Sequence, residues 1–231
     1  MHSRTAWVDY FTGSPTSFLQ TTKYDKSQSL SGTGACVSNC LFRSITSSSN
    51  GGALYSRSET YFLIEPTSFF TCKTSDYHGG AIFFQNSGNS QCVLYKVCGY
   101  GCCSTHSSSP RDMFAYIYVN TASSSSIKNY LNYSSISRCV SENSNSWYTL
   151  RLYYGKILCP SVNMSQNKCY YRSVICSHPY SDSNSFAGSI TYSTFADNIA
   201  TGYTCITLWY GGSKQEIKSC NILRNTQGTV G

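Results

Sequence analysis

The sequence predicts an all-β protein, a single-domain right-handed parallel β-helix (solenoid) of about seven coils. One phrase occurs twice, as Gly-Gly-Ala-Leu at 51–54 and Gly-Gly-Ala-Ile at 79–82, with an offset of 28 residues. A fixed period of this length indicates a supersecondary unit stacked on copies of itself. The runs between turn residues are short and rich in β-branched and aromatic residues, and no segment keeps a 3.6-residue apolar period.

An apolar anchor accompanies each predicted coil. Phe42 and Phe70 each stand nine residues before a Gly-Gly pair, and weaker copies extend the series. The wider gaps between anchors contain clusters of Ser, Asn and Pro, which predict loop insertions. The expected anchors are Phe42, Phe70, Val97, Ile136, Val162, Phe195 and Ile222.

Each anchor is preceded by a β-type run, such as 61–64 or 92–95, and all but the last are followed by another, such as 114–119 or 148–154. Three short strands per unit leave only tight corners, which favours a β-helix over a propeller, whose blade needs about 40 residues. The Gly-Gly pair suits a corner with positive φ or a close approach between rungs. Leu54 and Ile82 are then expected in the interior stack.

The Gly-Gly-Ala-Leu/Ile phrase and Phe195-Ala196-Asp197-Asn198, an F-x-x-N phrase, resemble the repeats of chlamydial-type polymorphic outer-membrane proteins. They are also similar to surface families of anaerobic protists, above all trichomonads. The resemblance spans roughly residues 36–231, although the sharp motifs occupy two coils. It implies a right-handed parallel β-helix, surface display, and an adhesive or antigenic role, with no catalytic residues and no cofactor.

We expect residues 1–35 to form an N-terminal segment or cap and residues 36–231 to form the repeats. Residues 220–222 repeat the pattern of 40–42, and the chain stops where the next strand is due. This predicts a protein truncated at its C-terminus, and the resemblance implies a membrane anchor in the missing part. Neither a secretory signal nor an 18-residue apolar span occurs in this sequence.

The net charge of +7 arises from ten acidic residues set against seventeen basic ones that are scattered singly. Because phosphate binding needs a clustered basic footprint, nucleic acid is not a predicted partner. Low charge together with 20 tyrosines indicates an exposed β surface that is polar without being ionic.

Thirteen cysteines allow two interpretations: a buried column of free thiols, or disulfides in an oxidising compartment. The nearest approach to a zinc site is Cys98, Cys102, Cys103 and His106. Vicinal cysteines chelate a tetrahedral ion poorly, so no metal site is predicted.

Catalysis by β-helix enzymes that act on polysaccharides needs clustered carboxylates. Glu59 and Glu65 are expected to be solvated strand ends, and His78 a turn residue. Three carboxylates from separate coils are candidates for a composite site: Asp76, Asp112 and Asp197. Asp76 and Asp197 are better explained as corner residues, and no catalytic residue is predicted.

The predicted function is therefore a non-enzymatic surface-type protein that presents an extended face to a host-cell protein or glycan. Solvent-facing tyrosines are expected to drive binding, namely Tyr116, Tyr118, Tyr153 and Tyr154. The alternatives are a carbohydrate-active lyase or hydrolase with a composite site, and a decayed family copy without function. Two N-x-S/T sequons, at Asn132 and Asn163, are predicted glycosylation sites if the chain is secreted.

Overall fold

A computed structural model describes residues 6–76, 78–86, 88, 90–106, 111–119, 126–140, 146–170, 172–180, 186–202, 205–209 and 214–228. All strand pairs among them are parallel, and each strand pairs with its equivalent in the next coil. The prediction of an all-β parallel β-helix is confirmed. Two sheets have eight strands and a third has seven, close to the predicted seven coils.

The first sheet contains β1 (Ser17–Gln20), β4 (Gly34–Ser38), β8 (Tyr61–Glu65), β12 (Gln91–Tyr95), β16 (Lys128–Asn132), β19 (Lys156–Pro160), β23 (Phe186–Thr191) and β27 (Lys214–Lys218). The second sheet contains β2 (Lys23–Tyr24), β5 (Leu41–Arg43), β9 (Thr67–Phe70), β13 (Val97–Tyr100), β17 (Ser135–Ser137), β20 (Asn163–Ser165), β24 (Thr194–Ala196) and β28 (Asn221–Leu223).

The third sheet contains β3 (Gln28–Ser29), β7 (Leu54–Ser56), β11 (Ile82–Gln85), β15 (Arg111–Tyr118), β18 (Ser146–Tyr153), β22 (Ile175–His178) and β26 (Ile206–Leu208). Two short sheets lie after the second: β6 (Thr46–Ser47), β10 (Lys73–Thr74) and β14 (Cys103–Ser104), then β21 (Lys168–Cys169), β25 (Ile199–Ala200) and β29 (Thr226–Gln227). One helix, α1, spans Trp7–Tyr10.

The register of the second sheet corrects part of the anchor series. Phe42 pairs with Phe69 rather than with Phe70. The offset between rungs is 27 residues at the neighbouring Ser44–Thr71 pair and 28 at the Asn50–His78 pair, so the second coil has one extra residue before its Gly-Gly pair. Further along, the anchor position holds Gly99 and Met164 instead of Val97 and Val162. Ile136, Phe195 and Ile222 are in the predicted register.

Single residues with positive φ make two of the corners. Between the first and second sheets, φ lies between 48° and 55° at Thr21, Asn39, Lys96, Tyr133, Ser161, Tyr192 and Ser219. After the second sheet the same conformation recurs at Ser44, Thr71, Gly101, Arg138, Gln166, Asp197 and Arg224. This conformation costs a non-glycine residue about 1–2 kcal/mol. Hydrogen bonds between rungs hold it in place, for example from the Thr71 amide to the Tyr100 carbonyl at 2.8 Å.

Residues in register stack through the interior. The Phe42 ring lies between those of Tyr24 and Phe69, with ring centroids 4.9 and 5.0 Å apart. Leu54 and Ile82 pair directly and are fully buried, as predicted. Gly99 leaves a gap in the anchor column that the Phe114 ring fills, since a Cβ on Gly99 would lie 2.4 Å from that ring.

The F-x-x-N phrase sets up a polar ladder inside the second corner. The Asn198 side-chain amide donates to the Met164 carbonyl and to the Asn225 side-chain oxygen, both at 2.8 Å. Asn167 repeats this arrangement one rung earlier, with the Ile136 carbonyl as acceptor at 3.0 Å. The anchor-column carbonyls of Ile136, Met164 and Phe195 thereby gain a donor, which removes the cost of an unpaired polar group. In register order the column is Ile45, Cys72, Cys102, Cys139, Asn167, Asn198 and Asn225.

Cysteines replace asparagine in the earlier part of this column. The Cys102 thiol donates to the Phe69 carbonyl at 3.5 Å, the equivalent of the acceptor that Asn198 uses. All thirteen cysteines are free thiols, and eleven of them are buried. Burial raises the pKa of the Cys159 thiol to about 12, which keeps it neutral at physiological pH. Of the two interpretations open from the sequence, the structure has the buried thiols.

The N-terminal residues cover part of the first sheet. Trp7 and Phe11 pack against its outward face at Cys36, Leu63 and Val93. Residues 17–29 supply β1 to β3 of the stack, so the predicted boundary at residue 36 falls within the run of paired strands. Within the described residues, no helix has both the length and the apolar character needed to cross a membrane.

The Gly-Gly pair does what the sequence predicted. Gly51 and Gly79 have φ of 68° and 67°. The second glycine of each pair, Gly52 or Gly80, is required because neighbouring backbone lies too close for a side chain. A Cβ on Gly52 would lie 2.1 Å from the Gly80 carbonyl oxygen and 2.4 Å from that of Lys73.

We expect Gly52→Ala to destabilise the protein by about 3 kcal/mol, because two backbone oxygens cannot both move away from the new methyl group. For a chain of this length the melting temperature should fall by roughly 6–12 °C. Gly88→Ala is the matched control, since its Cβ would approach only a side-chain oxygen, that of Asn86, at 3.1 Å. Equal melting temperatures for the two variants would contradict the crowded corner.

Candidate functional site

The outward face of the third sheet carries an aromatic strip, which we define as Tyr55, Phe83, Tyr116, Tyr118, Tyr153, His178 and Trp209. The first three occupy one register column and the last four a neighbouring one. The rings stack along the columns, with centroids 5.4 Å apart for Tyr55–Phe83 and for Phe83–Tyr116, and 5.3 Å apart for His178–Trp209.

The strip follows from strand alternation. In β15, Ala115 and Ile117 are fully buried in the core, so Tyr116 between them points to the opposite face. Parallel pairing in register then places outward residues of successive rungs side by side. Residues far apart in the sequence thus form one continuous surface.

The tyrosines of the strip are less exposed than the sequence predicted. Tyr116 is only 9% exposed, and Tyr118 and Tyr153 are half-buried. Tyr154, which was also expected in solvent, is not part of the strip; it is half-buried and packs against the core. These rings cover one another, as at the Tyr118–Tyr154 edge contact of 5.1 Å between centroids. Trp209, at 39% exposure, is the more open ring.

A buried ion pair lies beneath the strip. The Asp112 carboxylate is fully buried, with one oxygen 2.7 Å from His78 Nδ1 and 3.3 Å from an Arg151 Nη. Arg151 also donates to the Tyr153 hydroxyl at 2.5 Å and lies over that ring at 4.5 Å. Burial is the largest influence on the pKa of Arg151 and lowers it, but Asp112, Tyr153, Cys176 and Tyr116 together raise it by more, so the pKa is raised overall.

A second arginine joins the first to form what we call the arginine box: Arg151, Arg172, Trp147 and Tyr148. The two guanidinium groups lie 5.3 Å and 4.0 Å from the Trp147 ring. The Tyr148 hydroxyl accepts from Arg172 at 2.9 Å and from the Trp209 indole at 3.3 Å, which connects the box to the strip. Burial raises the pKa of Tyr148 to about 12, despite these two donors.

His178 belongs to the strip and lies among the rings next to the box. Its ring stacks on Trp209 and lies 5.0 Å from the Tyr153 ring. Burial, assisted by the nearby charge of Arg151, lowers the pKa of His178 below its usual value. The imidazole is therefore neutral at physiological pH and adds no charge to the site.

The three candidate carboxylates have separate roles. Asp112 is the buried member, and it meets His78 and Arg151 from the two neighbouring rungs. Asp197 occupies a positive-φ corner, as expected, and forms a bidentate ion pair with Arg224 at 2.6 and 2.9 Å. Asp76 follows β10, where its amide bonds to Thr74 Oγ1 at 3.0 Å.

The prediction for Glu59 and Glu65 was wrong, because both are buried. Glu59 is fully buried and accepts hydrogen bonds from Ser56 Oγ and from the Ser58 amide. Glu65 accepts from the Ala6 amide at 2.7 Å, which ties the N-terminal segment to the first sheet. Both carboxylates accept hydrogen bonds from backbone amides or a hydroxyl group, and the sequence pattern did not indicate these donors.

The remaining candidates lie outside the strip. Cys102 points into the interior column, and Cys98 is half-buried on β13. In the described ranges no cluster of three or more metal-ligating side chains forms. Asn163 is exposed on β20, whereas Asn132 is buried and donates to the Tyr10 hydroxyl at 3.0 Å. Glycosylation at these two sequons stays a prediction, and the exposed Asn163 side chain is more accessible to modification than the buried Asn132 side chain.

A polar cleft of about 570 Å³ adjoins the N-terminal end of the strip. Tyr55 begins the strip and also lines the cleft, together with Arg57 and Asp76. The rest of the lining consists of Ser27, Ser29, Ser47, Ser49 and Asn50. The cleft therefore continues the aromatic surface with hydroxyl and amide groups.

We expect Asp112→Ala to lower the free energy of unfolding by about 3–5 kcal/mol, because it leaves the Arg151 charge buried without its partner. Urea denaturation provides the measurement. Asp197→Ala is the control, because it removes an exposed ion pair and should change stability little. If both substitutions had equally small effects, Asp112 would not be the residue that holds Arg151 in the sheet.

Comparison with known proteins supports the repeat assignment. Residues 39–57, which contain β5 and the first Gly-Gly phrase, match the Chlamydia polymorphic membrane protein repeat. No curated protein and no solved structure matches the chain significantly. The match and the fold confirm the predicted resemblance: the chain is a parallel β-helix protein with a repeat similar to that of chlamydial polymorphic membrane proteins.

Proposed function

We propose that this chain is a non-enzymatic, surface-displayed repeat protein that binds glycan chains through its aromatic strip. The matched repeat points to a surface-type protein. The observation that carries the proposal is the strip itself, with its stacked rings on the outward side of the third sheet. Surfaces that combine an apolar ring with a polar tip suit recognition of ligands of mixed character.

A glycan fits this surface better than a small compact ligand. The strip crosses successive rungs, so it offers aromatic rings along a line rather than around one pocket, with Trp209 as the more open ring. Sugar rings have one apolar face that packs on an aromatic ring and hydroxyl groups that need partners. The cleft beside Tyr55 supplies such partners from its serines.

The enzyme alternative has less support. Asp112 is fully buried and its charge is compensated by Arg151, and Asp197 is engaged in an ion pair with Arg224 at a corner. A general acid or nucleophile must reach its substrate within hydrogen-bond distance. The arrangement favours a positioning role for Asp112, which holds Arg151 in the sheet.

The alternative of a decayed copy also has less support. The later coils diverge in sequence, yet Asn167, Asn198 and Asn225 keep one hydrogen-bonded ladder. Residues that retain a common register and a shared role support a maintained fold.

Surface display predicts that antibodies raised against the folded protein will stain intact source cells. Permeabilised cells serve as the control for total protein. Staining that appears only after permeabilisation would contradict display and would leave the strip without an external ligand.

Glycan binding predicts that Trp209→Ala weakens affinity for a bound oligosaccharide by about tenfold, or about 1.4 kcal/mol. The measurement is titration calorimetry with oligosaccharides selected on a glycan array, and assays for new reducing ends test for cleavage. Tyr192→Ala removes an aromatic ring that is 67% exposed on a corner away from the strip, and it should leave affinity unchanged. Equal losses in both variants, or cleavage of the glycan, would contradict the proposal.

A further inference from the structure

We infer that the arginine box, together with Trp209, recognises an acidic group on the bound glycan, such as a carboxylate or sulfate. This inference rests on the proposed function and names the class of ligand. Two observations support it. Buried polar atoms without a hydrogen-bond partner concentrate in this part of the described structure, and so does a positive charge without an acidic partner.

Unsatisfied buried atoms concentrate beside the box. Among the described residues, seven buried side-chain atoms have no hydrogen-bond partner, and five of these belong to residues of the third-sheet region. They are Asp112 Oδ1, Arg151 Nε, Arg172 Nε, His178 Nδ1 and Thr207 Oγ1. Native proteins leave few such groups, so a concentration of them calls for an explanation such as a missing ligand or water. The two arginine Nε atoms are donors that an acidic ligand suits, whereas Asp112 Oδ1 is an acceptor that only a water or another donor can satisfy.

Among the described residues of this region, the positive and negative charges do not balance. Arg151 pairs with Asp112, but Arg172 forms no ion pair within the described part of the chain. His178 is neutral because its pKa is lowered by burial and by Arg151. One positive charge is therefore left in a half-buried, ring-lined setting, where an anion interacts more strongly than it does in open solvent.

The geometry places that charge next to the open end of the strip. The Arg172 guanidinium lies 4.0 Å from the Trp147 ring and 5.6 Å from the Trp209 ring. Arg172 and Trp147 are half-buried, and Trp209 is exposed, so a ligand that stacks on Trp209 comes within reach of Arg172. A planar guanidinium with several donors suits the oxygens of a carboxylate or sulfate.

The test compares an oligogalacturonate, a heparin hexasaccharide and neutral maltohexaose in titration calorimetry. The variant is Arg172→Gln. The matched control is Arg138→Gln, which removes the same charge and a similar cation–π contact, at 5.8 Å from the Tyr100 ring, from an exposed position after the second sheet. Circular dichroism and melting temperature establish that both variants are folded.

We expect the folded protein to prefer an acidic oligosaccharide to maltohexaose, and Arg172→Gln to weaken that binding at least tenfold while Arg138→Gln changes it less than twofold. A preference for oligogalacturonate would assign a carboxylate, and a preference for heparin a sulfate. Equal losses for the two arginine variants would overturn the inference, because they would indicate attraction to overall charge. Binding of maltohexaose at equal or greater affinity would overturn it and leave the proposed function intact. No binding of any glycan would overturn both.

Discussion

The structure depends on the registered stacking of one rung on the next. A single rung cannot bury its apolar face, and its strand edges are left unpaired, so each rung is stable only when its neighbours complete it. The corners show this most directly. Residues such as Tyr192 and Asp197 accept an unfavourable positive φ, and their amides donate to carbonyls of the adjacent rung.

The same stacking produces the candidate site. Asp112 meets His78 and Arg151, which are 34 and 39 residues away in sequence, because all three belong to neighbouring rungs of the third sheet. Strand alternation turns the Arg151 side chain to the outer side of the sheet while Leu150 and Leu152 fill the core. A surface of stacked rings and paired charges therefore needs no insertion or added domain. It requires only that outward positions on consecutive rungs hold aromatic and cationic residues.

Much of the fold could be predicted from the sequence because local patterns of glycine and apolar residues determine the corners and the core. The Gly-Gly phrase marked a crowded corner, and Leu54 and Ile82 were correctly placed inside. The anchor register failed at Phe70, because one inserted residue in a loop shifts the offset without changing the apolar pattern.

The site was harder to predict because its properties arise between rungs. Tyr116 was expected in solvent, but rings from the rungs above and below cover it. Glu65 was expected at a solvated strand end, but its partner, the Ala6 amide, lies 59 residues away in sequence. Glu59 was expected there too, and it is buried although its donors, Ser56 and Ser58, are close in sequence. Arg151 and Arg172 had no local motif. The one available signal was the alternation of aromatic and aliphatic residues in segments 114–119 and 148–154.

We propose that glycans bind to the outward face of the third sheet. Hydrogen–deuterium exchange, measured with and without a bound acidic oligosaccharide, tests it across the whole chain. We expect slower exchange in β15, β18, β22 and β26, with the first and second sheets unchanged. Protection confined to the second sheet, or spread evenly over all three sheets, would contradict it.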